Sequence, residues 1–226
     1  MKALIFGITG SVGSYITKRF TEEGIKCIGA THSKEKVTND ILFVDNNDLN
    51  SLKSIKDIDI IIWAHGYNIN DNINTFSEDK FLTAINSNVL LIINSLKILL
   101  TNNSINIGAN LIIISSIWEK NTRDNKLSYS VSKSALGGLA KSLSYDLASK
   151  NILINNLCPG VIDNEMSRKT LSREQFTYLK EYTPFNRLIN LEDVYNTVNF
   201  FAIRNTGITG QSITIDLGFT NIKKYS

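Results

Sequence analysis

Five short runs of apolar or almost wholly apolar residues punctuate the chain: Ala3–Phe6, Cys27–Ala30, Leu42–Val44, Ile58–Ala64 and Leu111–Ile114. None alternates polar with apolar positions. Such runs read as strands buried on both faces, the pattern of a parallel sheet. Longer stretches of helical periodicity lie between them. Ser14–Glu23 places Ile16 and Phe20 one turn apart and stops at Gly24, a residue suited to end a helix. Thr75-x-x-Glu78 has the spacing of a capping box, and Phe81, Ile85, Val89 and Ile92 follow at helical intervals as far as about Leu100. Strand and helix repeated in this way predict an α/β, Rossmann-like doubly wound parallel sheet of about seven strands, with helices on both faces and right-handed crossovers.

Composition narrows the class. Of 226 residues, 42% are hydrophobic and 20% charged, a globular balance. No linker, repeat or low-complexity tract divides the chain, so residues 1–226 are expected to form a single domain. Lys and Arg number 24 against 21 Asp and Glu, and so small an excess argues against a nucleic-acid partner. The four apolar residues Ala3–Phe6 are too few for a secretion signal, and no uninterrupted apolar run approaches the ~20 residues that span a bilayer. Cys27 and Cys158 stand far apart with no ligand spacing around either. They point away from a disulfide scaffold or a metal site and toward the cytoplasm.

Gly7-Ile8-Thr9-Gly10-Ser11-Val12-Gly13 follows the first strand and opens the first helix. Glycines there let the backbone turn tightly and approach a pyrophosphate, and the helix N-terminus offers free N–H groups to it. Dinucleotide binding is therefore expected, with Gly7, Thr9, Gly10, Ser11, Val12 and Gly13 at the phosphates. In NAD-specific sites of this kind a carboxylate closes the second strand and holds the ribose hydroxyls. Here the strand runs into Thr31-His32-Ser33-Lys34, with no carboxylate. Thr31, His32 and Ser33 favour NADP over NAD, because an acidic side chain would repel the extra phosphate. The alternative is a polar loop that touches nothing. Asp45, after the third strand, is a candidate partner for the adenine amino group or a cap for the next helix.

Tyr129-Ser130-Val131-Ser132-Lys133 sets a phenol and an ammonium one helical turn apart. A nearby Lys is expected to lower the phenol from its usual pKa of ~10 and so make it a usable acid or base near neutrality. Leu111–Ile114 ends in Ser115-Ser116, hydroxyls at the ligand end of a buried strand. Asn88 shares a helical face with Phe81, Ala84, Ile85 and Leu91, an odd place for an amide without a buried partner.

Taken together, these motifs resemble the short-chain dehydrogenase/reductase superfamily over nearly the whole chain. The glycine loop, Asn88, Ser116, Tyr129 and Lys133 stand in that family's order and spacing, Asn155–Gly160 resembles the end of its sixth strand, and Thr209–Gly218 resembles its last strand and turn. The resemblance implies that Tyr129 is the general acid in carbonyl reduction and that Ser116 bonds the substrate oxygen. It implies that Lys133 holds the nicotinamide ribose and tunes Tyr129, and that Asn88 holds a water in a proton relay. Ala64, Gly66 and Ile162 would also line the cofactor, with Ile162 at the carboxamide. Residues 163–190 would form a substrate lid. The resemblance further implies a homotetramer or homodimer built on the long helix and on the helix that carries Tyr129. Within that second helix Gly137 and Gly138 suggest close approach by another backbone.

Three departures stand out. The glycines are spaced Gly-x-x-Gly-x-x-Gly, which is similar to a longer, sugar-nucleotide-modifying branch and keeps an epimerase or dehydratase open as an alternative, beside a non-catalytic nucleotide sensor. Trp63-Ala64-His65-Gly66 retains only the final glycine of the family's Asn-Asn-Ala-Gly, which gives His65 a structural or substrate-edge role. Asn164 stands where a Thr is usual.

Overall fold

The computed structural model describes residues 1–44, 48–164, 167–168 and 171–221; Asp45 lies outside the described residues. In chain order the elements are β1 (Lys2–Phe6), α1 (Ser11–Glu22), β2 (Lys26–Thr31), β3 (Ile41–Phe43), β4 (Ile58–Trp63), α2 (Glu78–Ile85), α3 (Leu91–Thr101), β5 (Ile105–Ile114), α4 (Leu127–Asp146), β6 (Leu153–Pro159), α5 (Arg173–Tyr182), α6 (Leu191–Asn199) and β7 (Ser212–Ile215). Among the described residues they build a seven-stranded sheet of order β3-β2-β1-β4-β5-β6-β7, and every named pairing is parallel. The order reverses between β1 and β4. A crevice opens at such a switch point, beyond the carboxyl ends of the strands.

Apolar residues fill both faces of each central strand. Leu4, Phe6, Ile61, Trp63, Leu111 and Ile113 pack with Leu96 and Leu99 of α3 and Leu136 of α4. Ile5, Ile60, Ile62 and Ile112 pack on the other face with Ile16 and Phe20 of α1 and Val194 and Val198 of α6. Truncating one such residue to alanine ordinarily costs ~2–5 kcal/mol. The strands therefore hold the crevice rigidly, and loops at their ends carry the chemistry.

Two expectations need correction. Thr75 does not cap a helix: its hydroxyl takes the Asn72 amide in a tight turn, and α2 starts after Ser77. The single long helix is interrupted by a π-helical turn, Asn86–Leu90, between α2 and α3. Leu99 is fully buried, whereas Leu82, Leu90 and Ile93 are exposed. By length and composition Glu78–Thr101 is apolar enough to cross a bilayer. It instead lies against the sheet, with Ile92, Leu96 and Leu99 in the core.

Candidate active site

The glycine loop is tight for reasons its backbone makes explicit. Gly7 has φ +74°, a left-handed value that favours glycine, and a Cβ there would lie 2.6 Å from the His65 nitrogen. A Cβ on Gly13 would lie 2.3 Å from the Gly7 carbonyl oxygen. Gly10 is the N-cap of α1 and supplies no side-chain cap, which leaves the first turn's N–H groups facing the crevice mouth. The Thr9 hydroxyl lies 3.5 Å from that of Thr31, and the Thr31 hydroxyl takes the Ser33 amide at 3.2 Å. His32 is exposed at this edge. Asn164 reaches across and donates to the Ser11 hydroxyl at 3.1 Å, tying the start of the expected lid to the loop. Ile162 bridges Ile189 beside it.

Ala64 and Gly66 continue from β4 on the other wall. A Cβ on Gly66 would lie 3.6 Å from both Asn88 Oδ1 and Lys133 Nζ, so these groups converge on one small space. Asn88 lies within the π-helical turn and is buried. Its Oδ1 accepts the Tyr67 amide at 2.7 Å, and its Nδ2 donates to the Tyr67 carbonyl at 3.0 Å and to the Ser132 hydroxyl at 2.9 Å. Both Nδ2 protons are engaged, so the side chain pins the loop after Gly66, while Oδ1 keeps a second lone pair.

Tyr129 and Lys133 occupy the first two turns of α4. Lys133 Nζ donates to the Ile114 carbonyl at 3.1 Å and lies 5.8 Å from the centre of the Tyr129 ring. Ser116, at the end of β5, is buried, and its hydroxyl accepts the Trp118 amide at 3.2 Å. The start of α4 is fixed from outside. Buried Asp71 accepts the Ser128 amide at 2.9 Å and the Ser128 hydroxyl, placing a carboxylate where a helix N-terminus favours one.

The electrostatics differ from the expected ones. Burial pushes the Tyr129 phenol above its ordinary value, and hydrogen bonding from Ser116 offsets only part of that. Burial pushes Lys133 down to about 8, opposed by the Glu119 carboxylate. Desolvation is the largest influence on both groups. His65 is pushed down to about 4 by burial and by Lys133. Its Nε2 donates to the Ser87 carbonyl at 2.9 Å, and its buried Nδ1 has no partner. The ring is therefore neutral, with a lone pair to offer.

Three residues here carried no signal in the sequence. Lys126, Asp71 and Glu119 are all buried, and charged residues read by default as surface.

A family model described as enoyl-(acyl carrier protein) reductase matches residues 50–220. A 3-oxoacyl-(acyl-carrier-protein) reductase of Buchnera aphidicola is 26% identical, over 96% of this chain and 96% of its own. A glucose 1-dehydrogenase of Gluconobacter oxydans is 24% identical over 97% of this chain and 91% of its own. Among solved structures, a gluconate 5-dehydrogenase from Burkholderia cenocepacia in complex with NADP and tartrate superposes with a TM-score of 0.88 at 19% identity, covering 98% of this chain and 96% of that one. The ligand-free aldohexose dehydrogenase of Thermoplasma acidophilum gives 0.86 at 22% identity, over 100% and 96%.

Proposed function

The chain belongs to the short-chain dehydrogenase/reductase superfamily, and on that premise we propose that it reduces a small carbonyl compound with NADPH, or oxidises the alcohol in reverse. The observation that carries this reading is the convergence of Asn88, Ser116, Tyr129 and Lys133 beside Gly66, at the carboxyl ends of β4 and β5.

The crevice fits a dinucleotide. Gly7 and Gly13 leave space that any Cβ would fill, α1 presents free N–H groups, and His65 Nδ1 is an orphaned acceptor on the same wall. Gly7 to Gly13 would hold the pyrophosphate; Ala64, Gly66, Ile162 and Lys133 would hold the nicotinamide half. Thr31, His32 and Ser33 would take the 2′-phosphate, since no carboxylate closes β2. NADP in the Burkholderia enzyme is in keeping with that preference.

When bound, the cofactor supplies a hydride to the carbonyl carbon. Ser116 donates to the carbonyl oxygen and fixes its position. Tyr129 transfers its proton to that oxygen, leaving an alcohol and a phenolate that solvent reprotonates. Lys133 remains charged beside the phenolate as it forms. Asn88 keeps the Gly66 loop in place.

Exposed Leu82, Leu90 and Ile93, with Val131 on α4, support assembly into a homodimer or homotetramer. Gly138 has open space beside it, which suits a second helix; Gly137 is already explained within the chain by Glu119.

NADPH consumption against a panel of aldehydes, ketones and β-keto esters tests the reaction, with Tyr129→Phe as the decisive variant. It should abolish turnover and leave NADPH affinity nearly unchanged; a tenth or more of the rate surviving would remove Tyr129 from its role. Equal or tighter binding of NADH would overturn the NADP assignment.

A further inference from the structure

Lys126 precedes Tyr129 by three residues, and it is 4% exposed. Its Nζ is held at 2.6 Å by Asn68 Oδ1 and at 2.6 Å by Asn70 Oδ1. Both acceptors are neutral amides, and among the described residues no carboxylate forms an ion pair with this ammonium. That ammonium lies 5.0 Å from the centre of the Tyr129 ring, nearer than Lys133 at 5.8 Å. A lysine carries a flexible four-carbon stem, and burying it against a ring costs side-chain entropy and solvation. Two asparagines from the loop after β4 are spent on keeping it there.

We propose that Lys126 is a second cationic support for the Tyr129 phenolate, acting beside Lys133 as a positioning residue of the proton-transfer step. This deepens the reading of Tyr129 as proton donor and rests on it. Reduction removes a proton from Tyr129 and leaves a negative charge spread over the ring and its oxygen. A cation close to an aromatic ring is attracted to it already, and more strongly once the ring is anionic. Lys133 is held to the end of β5 by the Ile114 carbonyl, while Lys126 is held to the β4 loop. The phenolate is thus served by two ammoniums fixed to different elements.

The charged neighbours of Lys126 pull in both directions. Lys126 faces Arg123, which weakens its hold on a proton, and Asp71, which strengthens it. Burial is the largest influence and brings it down to about 8. Lys133 faces Cys158, Glu119 and His65. Cys158 is pushed up to about 12 and stays a neutral thiol. At pH 7 both lysines are therefore charged when Tyr129 gives up its proton.

The free phenol titrates above both lysines, so an equilibrium test needs a phenol that ionises below them. Replacing Tyr129 with 2,3,5,6-tetrafluorotyrosine in the full-length protein provides one, acidic enough to stay below them despite the upward push of burial, and is read by its phenolate absorbance without substrate or cofactor. Lys126→Met should raise that midpoint by about one pH unit or more. Lys126→Arg should leave it nearly where it was. Asn68→Ala with Asn70→Ala, which keeps the lysine but frees it, should raise the midpoint by part of that amount and guards against a Met variant that fails to fold. A midpoint unmoved by Lys126→Met would overturn the proposal. So would a Met and an Arg variant that shift it equally, which would assign Lys126 a packing role. Because no turnover is involved, these outcomes are separate from the loss of activity in Tyr129→Phe that tests the reaction itself.

Discussion

Glu119 Oε1 occupies the space that a side chain on Gly137 would need: a Cβ there would lie 2.9 Å from it. The carboxylate is held under α4 by Asn156 Nδ2 at 3.1 Å and by the Cys158 thiol at 3.4 Å, both on its other oxygen. Gly137→Ala should therefore lose the ~1 kcal/mol that alanine normally gains over glycine in a helix, because overpacking costs ~1–3 kcal/mol. Gly138, with nothing from its own chain within 4 Å of its Cβ position, is the internal control at a dilution where the protein is monomeric. Gly138→Ala should be more stable than Gly137→Ala in urea unfolding by about 1 kcal/mol or more; equal midpoints would mean that Glu119 moves aside freely.

Glu119 is also the charged carboxylate that helps Lys133 keep its proton. Glu119→Gln should lower the Lys133 pKa below its present value of about 8. A lysine with a lower pKa is neutral over more of the alkaline range. The falling alkaline limb of carbonyl reduction should begin at lower pH in this variant, with the rate at pH 6 little changed. A limb that stays in place would separate Glu119 from the chemistry.

Lys126→Arg makes the opposite prediction on the same limb. In the wild-type protein Lys126 and Lys133 both lose charge as pH rises through about 8. Arginine stays charged throughout. The variant should retain more of its neutral-pH rate at pH 9.5 than the wild-type protein does, and stopped-flow NADPH oxidation would read the ratio.

His65 should make the fold acid-sensitive. Its imidazole is held near 4 in the folded protein against 6.5 in an open chain. The unfolded state binds the extra proton between those values, so stability is full above pH 6.5 and falls as pH drops toward 4. The loss should not exceed roughly 3 kcal/mol. In His65→Gln the slope of unfolding free energy against pH should flatten over that window in denaturant titrations.

Gly7→Ala tests the phosphate loop. Both the positive φ and the 2.6 Å approach of the His65 backbone nitrogen oppose any side chain there. Calorimetry should find NADPH affinity lost by tenfold or more, along with a lower melting temperature.

The central strands were legible because burial on both faces leaves runs such as Ile60–Trp63 with no polar alternation to mislead. That Asn88, Ser116, Tyr129 and Lys133 stand near one another was legible from their order and spacing, which resemble those of the family. The first half of β5, Ile105–Asn110, was not: it includes exposed Ile107 and Gly108, and its pairing with β4 shifts register. The caps were misread as well. Thr75 carries the right letters three residues before Glu78, while the boxes that form are Ser172 with Gln175 and Asn190 with Asp193. Lys126, Asp71 and Glu119 were invisible for a different reason, since each is satisfied by groups far away in the chain.

The π-helical turn at Asn86–Leu90 makes the stretch from Glu78 to Thr101 one residue longer than a regular helix over the same path would be. An insertion of that kind can be undone. Deleting Ser87 should let α2 and α3 fuse into a continuous helix while Ile92, Leu96 and Leu99 keep their places against the sheet. A deletion inside a helix normally rotates everything beyond it by ~100° and wrecks the core; here the spare residue should absorb it. The shortened protein should fold, and carry Asn88 out of reach of Tyr67 and Ser132. Evolvability of the site would then lie in chain length as much as in side-chain identity: gain or loss of one codon in this helix would switch the crevice wall while leaving the scaffold intact.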